Sequence, residues 1–307
     1  MNFRFFTESL KLIAIPEKYI LFFSLCFLSS YATAEEISVK DKSSPPGESA
    51  LSERIEIERQ TRFQKFVLTP HKQNYILPLT YNDSPNLDVI DPAIDGDISK
   101  TEVKFQLSIK VPVAENIFDT PATLYFAYTN LSFWQAYNSA ASAPFRETNH
   151  EPEIFIGLPN DWELWGFKNN LVFTGFSHQS NGRSGIQSRS WNRFYIDFIF
   201  QKRDFYLSLK PWLRINDDVD DNPDIEDYLG HGEIRAIYAK SNHTVSLMMR
   251  HTFDENSKGA VELSWGFPVS RRTKGLLQIF KGYGESLLDY NAESNRIGLG
   301  VMLTDWL

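Results

Sequence analysis

From Glu102 to the C-terminus, apolar and polar residues alternate along one segment after another. Val103, Phe105, Leu107, Ile109 and Val111 oppose Glu102, Lys104, Gln106, Ser108 and Lys110, and Phe205, Leu207, Leu209, Leu213 and Ile215 oppose Tyr206, Ser208, Lys210 and Arg214. Near the end, Ile297, Leu299, Val301 and Leu303 alternate with Gly298, Gly300, Met302 and Thr304. A period of two is the signature of a strand with one apolar and one polar face. Counting such segments predicts twelve strands, at 73–80, 101–112, 121–134, 151–158, 162–180, 190–201, 204–215, 228–239, 243–253, 258–268, 274–283 and 295–306. An even number of segments of about ten residues suits a transmembrane antiparallel β-barrel. The connections after odd strands are mostly long (81–100, 135–150, 181–189, 216–227, 284–294), and most of those after even strands are short. That asymmetry separates external loops from periplasmic turns, and it makes the fifth strand run outward.

A soluble β-sandwich or lipocalin-like barrel also alternates, with its apolar face inward. Charge decides against it, because Glu102, Lys104 and Lys110, or Arg193 and Asp197, would then crowd a small dry core. A polar barrel interior accommodates them. Trp134, Trp162, Trp165, Trp191 and Trp306 fall near predicted strand ends, as an interfacial girdle would. The fifth strand is the least regular: Leu171 and Phe173 share the parity of Glu163 and Asn169, which a bulge or a crowded interior would explain.

The N-terminal region reads differently. Residues 1–34 resemble a secretory signal, in which Lys18 precedes an apolar run from Tyr19 to Leu28 and Ala32-Thr33-Ala34 forms a small-residue cleavage site. Residues 35–66 are polar and read as a periplasmic arm, with Ser52 to Lys65 as a short exposed helix, and 67–307 as the barrel. The single cysteine, Cys26, lies in the signal, so disulfide and thiol chemistry are excluded from the mature chain. Cleavage removes three cations and two anions and takes the formal net charge from −8 to −9, a poor balance for binding nucleic acid.

Against this regular background one stretch is out of place, FSHQSNGRSGIQSRSWNRFYIDFIF, from Phe176 to Phe200. Asn192 continues the apolar parity of Phe194, Ile196, Phe198 and Phe200, while His178 and Ser180 lie two apart on one face of the preceding strand. Pairing the hairpin symmetrically about its polar, Gly-containing loop sets 180 against 190 and 178 against 192. His178 then faces Asn192 with Cβ atoms roughly 5 Å apart. Hydroxyl and imidazole on a lipid-facing wall are expensive to keep without a use. An amide that accepts from one imidazole nitrogen leaves the other facing the serine, the arrangement of a nucleophile and its base. The remaining histidines, His71, His150, His231, His243 and His251, have no such spacing and read as structural or solvated.

Four segments carry a family likeness: SFWQAYNSAASAPFRETNHEPEIFIG (132–157), GFSHQSNGRSGIQSRSWNRFY (175–195), DDNPDI (220–225) and GYGESLLDYN (282–291). They closely resemble the outer membrane phospholipase A family of Gram-negative bacteria. The resemblance implies a twelve-stranded barrel in the bacterial outer membrane and a calcium-dependent acyl hydrolase, with one Ca2+ per monomer. Such an enzyme acts on membrane phospholipids and lysophospholipids, idle as a monomer and active as a homodimer. Carried over by position, it implies Ser180 as nucleophile, His178 as base, Asn192 as the orienting member and Gly182 as the oxyanion donor. Arg183, through its carbonyl, and Ser188 match calcium ligands of the same subunit. Ser142 matches the ligand supplied across the dimer, Asp221 an acidic residue tied to calcium in the monomer, and Asn130 an amide of the dimer seam. Gly185 departs from the acidic residue common in that loop, and Leu307 from the usual terminal aromatic. A non-catalytic pore or scaffold barrel is the alternative, although Phe173, Tyr206 and Trp212 on the inward parity predict a plugged lumen.

Overall fold

The computed structural model describes residues 54, 56, 58, 60, 68–87, 98–140, 143–217, 220–253, 257–270 and 273–306. The signal segment, most of the predicted arm and Leu307 lie outside them. Twelve strands form the barrel: β1 (Asn74–Asn82), β2 (Thr101–Glu115), β3 (Thr123–Trp134), β4 (Phe145–Pro159), β5 (Phe167–Ser180), β6 (Ser190–Lys202), β7 (Phe205–Ile215), β8 (Gly232–Lys240), β9 (His243–His251), β10 (Gly259–Pro268), β11 (Lys274–Tyr283) and β12 (Glu293–Thr304). Each pairs antiparallel with its sequence neighbours. β12 returns to β1, with Leu299 opposite Leu79 and Ile297 opposite Tyr81. The sheet is therefore closed, and no edge is left unpaired, as a bilayer requires.

The two parities sort as their chemistry demands. Leu79, Leu107, Phe126, Phe176, Ile297 and Leu299 are exposed on the outer wall, while Lys104, Glu102, Glu153, Arg146 and Arg296 are buried inside. Buried charges persist only when paired, and these are. Glu102 lies 3.1 Å from Arg146 and 2.7 Å from Arg296. Lys104 donates to Gln278 and Glu285, and Glu153 holds His71 and Lys72. The loop 284–292 folds onto this lattice: both carboxylate oxygens of Asp289 accept from Arg146 Nη1, at 2.8 and 3.0 Å. Leu287 and Tyr290 of that loop pack with Tyr125, Phe155, Trp191 and Trp212. A cavity of about 330 Å3 remains.

At the opposite end, Arg54, one of four described helical positions between 54 and 60, donates to the carbonyls of Pro70 (2.9 Å) and Asp305 (3.1 Å). Glu58 pairs with Lys110 at 2.8 Å. Burial would raise the Glu58 pKa, but the Lys110 and Arg54 charges outweigh it and hold it below the usual carboxylate value. The tight turn between β8 and β9 places Ser241 and Asn242 at φ 52° and 65°. Two consecutive left-handed residues match the strand twist in a two-residue hairpin.

Several expectations need correction. β4 begins at Phe145 rather than 151, and β8 at Gly232 rather than 228, because Glu226–Leu229 is a helical turn. β5 begins at Phe167, and Glu163–Leu164 forms a short ladder with it. The irregularity of β5 has both proposed causes. Pairing with β6 slips between Asn169 and Leu171, and Phe173 crowds the interior edge-on against Phe155, 5.2 Å between ring centroids. Trp191 belongs to no girdle: it is buried inside, edge-on to Trp212 at 6.1 Å, with its indole N–H on Gln179. Trp306 lies across the Arg235 guanidinium at 4.3 Å.

Candidate active site

β5 and β6 pair as the hairpin symmetry predicts, Ser180 with Ser190 and His178 with Asn192. Phe176 and His178 are exposed, whereas Ser177 and Gly175 between and before them are buried, so His178 stands on the outer wall. Ser180, two residues on, shares that face. Across the hairpin, His178 Nδ1 and Asn192 Oδ1 are 2.7 Å apart. The opposite end of the same amide donates from Nδ2 to Asp217 Oδ1, also at 2.7 Å.

The loop after Ser180 is shaped by Asn181, a buried side chain that ties both of its ends. Its Oδ1 accepts from the N–H groups of Arg183 and Arg189, at 3.3 and 3.1 Å, and its Nδ2 donates to the Gln187 carbonyl at 2.8 Å. Gly182 is exposed with φ 65°, a conformation that favours glycine and leaves its backbone unencumbered by a side chain. The Arg183 guanidinium turns back toward the barrel, donating to Gln187 at 2.6 Å and to the Arg146 carbonyl, with Glu147 3.4 Å away.

Of the residues matched to calcium ligands, two are brought into contact: Ser188 Oγ donates to Asp221 Oδ2. Ser188 and Asp221 thus present a hydroxyl and a carboxylate to each other, while the Arg183 guanidinium is occupied elsewhere. Hard oxygens such as these suit a calcium ion. Ser142 lies outside the described residues. Asp221, itself exposed, sits in a braced loop, since Arg214 binds Asp220 at 2.6 Å and Asn222 accepts from the Ser190 N–H at 2.9 Å. Asp224 accepts from Tyr290 at 2.7 Å, joining this loop to the lumen plug.

Two residues near the trio escaped the sequence reading. Asp217 lies in the predicted connection 216–227, where nothing in its spacing singles it out. His150, whose spacing reads as structural or solvated, is the register partner of Ser180 across β4 and β5. Its Nδ1 lies 2.6 Å from the Tyr128 hydroxyl, and its Nε2 would be 3.9 Å from a Cβ placed on Gly182. Asn130 stands opposite His150 in turn, so the polar patch extends over β3 to β6.

Comparison with known proteins agrees with this architecture. Residues 51–303 match the model of the Phospholipase A1 family. The chain is 36% identical over 283 residues to Phospholipase A1 of Klebsiella pneumoniae, spanning 92% of this chain and 96% of that one. Outer membrane phospholipase A from Escherichia coli is similar at a TM-score of 0.75 and 36% identity, over 80% of this chain and 95% of that chain. The same enzyme has also been solved as an active site mutant in which an asparagine is replaced by alanine. The Salmonella typhi outer membrane phospholipase, a dimer with bound calcium, matches at a TM-score of 0.75 and 36% identity, over 81% and 97%. Fold and relatives together define the class, a bacterial outer-membrane β-barrel that is an enzyme acting on phospholipids. Within that class the chain belongs to the phospholipase A1 family.

Proposed function

We propose that this chain hydrolyses the acyl ester bonds of phospholipids and lysophospholipids from the outer wall of the barrel, with Ser180 as nucleophile and calcium as cofactor. The observation that carries this reading is the 2.7 Å contact between His178 Nδ1 and Asn192 Oδ1 on the lipid-facing side of β5 and β6, beside Ser180. A ring whose Nδ1–H is given to an amide oxygen keeps Nε2 free as a base. Nε2 takes the proton of Ser180 Oγ as that oxygen bonds to the acyl carbon, and returns it to the departing alcohol when the tetrahedral adduct collapses. Water then gives a proton to the same nitrogen as its oxygen bonds to the acyl carbon; the acyl–Oγ bond breaks, Nε2 returns the proton to Ser180 Oγ, and the fatty acid leaves. The Gly182 N–H is the donor offered to the oxyanion.

Arg183, Ser188 and Asp221 would hold one calcium ion per subunit, with Ser142 of the partner subunit completing the set in the active homodimer and the monomer idle. When bound, the ion supplies positive charge next to the developing oxyanion. Substrate enters sideways from the membrane, because the trio opens onto lipid and the lumen is filled with paired charges and aromatic rings. Wild type and Ser180→Ala are compared on phospholipid micelles with calcium and with chelator. The expected result is loss of at least about a thousandfold in the variant and strong loss of wild-type rate on chelation; equal rates in every arm would refute the proposal.

A further inference from the structure

A trio whose third member is an amide has a weakness that a carboxylate would not have. Asparagine presents an oxygen at one end and an NH2 at the other, in nearly the same shape. Turned one way, it accepts from His178 Nδ1–H and leaves Nε2 basic. Turned the other way, it donates to Nδ1, places the ring proton on Nε2 and removes the base. Nothing within the trio chooses between the two.

We propose that Asp217 is the positioning residue that makes this choice, a carboxylate that accepts from Asn192 Nδ2 and thereby fixes the amide oxygen toward His178. This rests on the Ser180, His178 and Asn192 reading above. The bond is direct, 2.7 Å from Nδ2 to Oδ1. A carboxylate has only acceptors to offer, so the amide end facing it must be the NH2. The sheet explains why this side chain arrives there. Ile215, the last residue of β7, is the register partner of Asn192, and position 217 continues the parity of 215 just past the strand end. His178, Asn192 and Asp217 thus form one row across β5, β6 and the exit of β7. The negative charge also favours the imidazolium that forms as Ser180 attacks, without touching the reacting atoms.

The test uses the full-length, folded enzyme on phospholipid micelles at saturating calcium. Asp217→Ala should lower kcat roughly tenfold with little change in KM, the loss of one charge-assisted hydrogen bond. Asp217→Glu should recover part of it. In the Asn192→Ala background, Asp217→Ala should have no further effect, because there is no amide left to orient. A loss that multiplies with Asn192→Ala overturns the proposal, as does a fully active Asp217→Ala enzyme. So does a loss that extra calcium reverses, which would make Asp217 an ion ligand instead. Should Asp217→Ala fail to fold, Asp217→Asn, equal in shape but uncharged, takes its place: lowered kcat supports the assignment and full kcat overturns it. Ser180→Ala and Asn192→Ala, run alongside, separate the two readings. If both keep full activity the trio itself is wrong, whereas if both are impaired and Asp217→Ala is not, only the role of Asp217 falls.

Discussion

The inside and the outside of this barrel use polar residues in opposite ways. In the lumen the charges of the central lattice are held several times over: Arg296 reaches Glu285 at 2.8 Å, Glu102 at 2.7 Å and Thr80 at 3.1 Å, and Arg146 spans Glu102 and Asp289. On the outer wall, His178 and Asn192 form a single chain of hydrogen bonds, each at 2.7 Å, ending on an exposed Asp217. A buried group loses water whichever way it turns, so only complete pairing makes it tolerable. A group at the rim keeps partial access to water and needs fewer protein partners. The interior therefore supplies rigidity, and the wall carries the residues proposed for the chemistry.

The sharpest way to break that division is to damage the lattice and look for catalytic loss. Arg296→Met leaves Glu102 and Glu285 buried with one cation fewer. Unfolding in detergent by denaturant is expected to lose about 3–5 kcal/mol, with kcat of the folded fraction unchanged. A kcat that falls while stability holds would mean that the lumen takes part in the chemistry.

Acid gives a gentler version of the same comparison. Burial raises the pKa of Glu285, but the Arg296 and Lys104 charges outweigh it and hold the carboxyl down at about 2, against about 4.3 for a free glutamate. A folded-state pKa below the unfolded one means that the unfolded chain binds the proton first. The stabilisation is complete above roughly pH 5 and drains away as pH falls through 4 toward 2. Unfolding free energy measured across that window should slope downward toward acid. Glu285→Gln should flatten the slope, and an unchanged slope would assign the acid sensitivity to other carboxylates.

The contrast between wall and lumen also explains what could be read from the sequence. Where the wall is plain lipid-facing surface, as along Val103 to Val111 or Ile297 to Leu303, alternation announces the strand. The first half of β4 is different. Arg146 and Glu147 face the lumen lattice, and outward Thr148 and His150 belong to the polar patch around Ser180, so both parities are polar and the segment passes for loop. With the strand start set six residues late, His150 had no register and its place beside Ser180 was invisible. Asp217 was hidden differently. Its acidic neighbours between Asp217 and Asp227 look solvated, and only the β6–β7 register points one of them at Asn192. The β5–β6 hairpin was legible because its loop is flanked by strands whose register symmetry alone determines.

The smallest expected effect lies in the loop that joins the two regions. Gly185 brings no side chain to this loop; its carbonyl accepts from the N–H of Ser188, whose hydroxyl in turn donates to Asp221. Its φ is 65°, and a side chain there would meet nothing within 4 Å. Aspartate tolerates the left-handed conformation better than most residues, so Gly185→Asp should fold with a penalty on the order of 1 kcal/mol. It adds a second carboxylate to the proposed donor set, which has one, and affinity at calcium sites rises with ligand charge. Calcium titration of activity should give a half-saturating concentration several-fold lower in the variant, with the same maximal rate. The lumen lattice is untouched, so denaturant unfolding in chelator should shift by no more than the backbone penalty. An unchanged half-saturation with normal folding would remove this loop from the ion site and leave Ser188 and Asp221 as a structural tie. A raised maximal rate at unchanged half-saturation would place the new carboxylate in the chemistry of the wall.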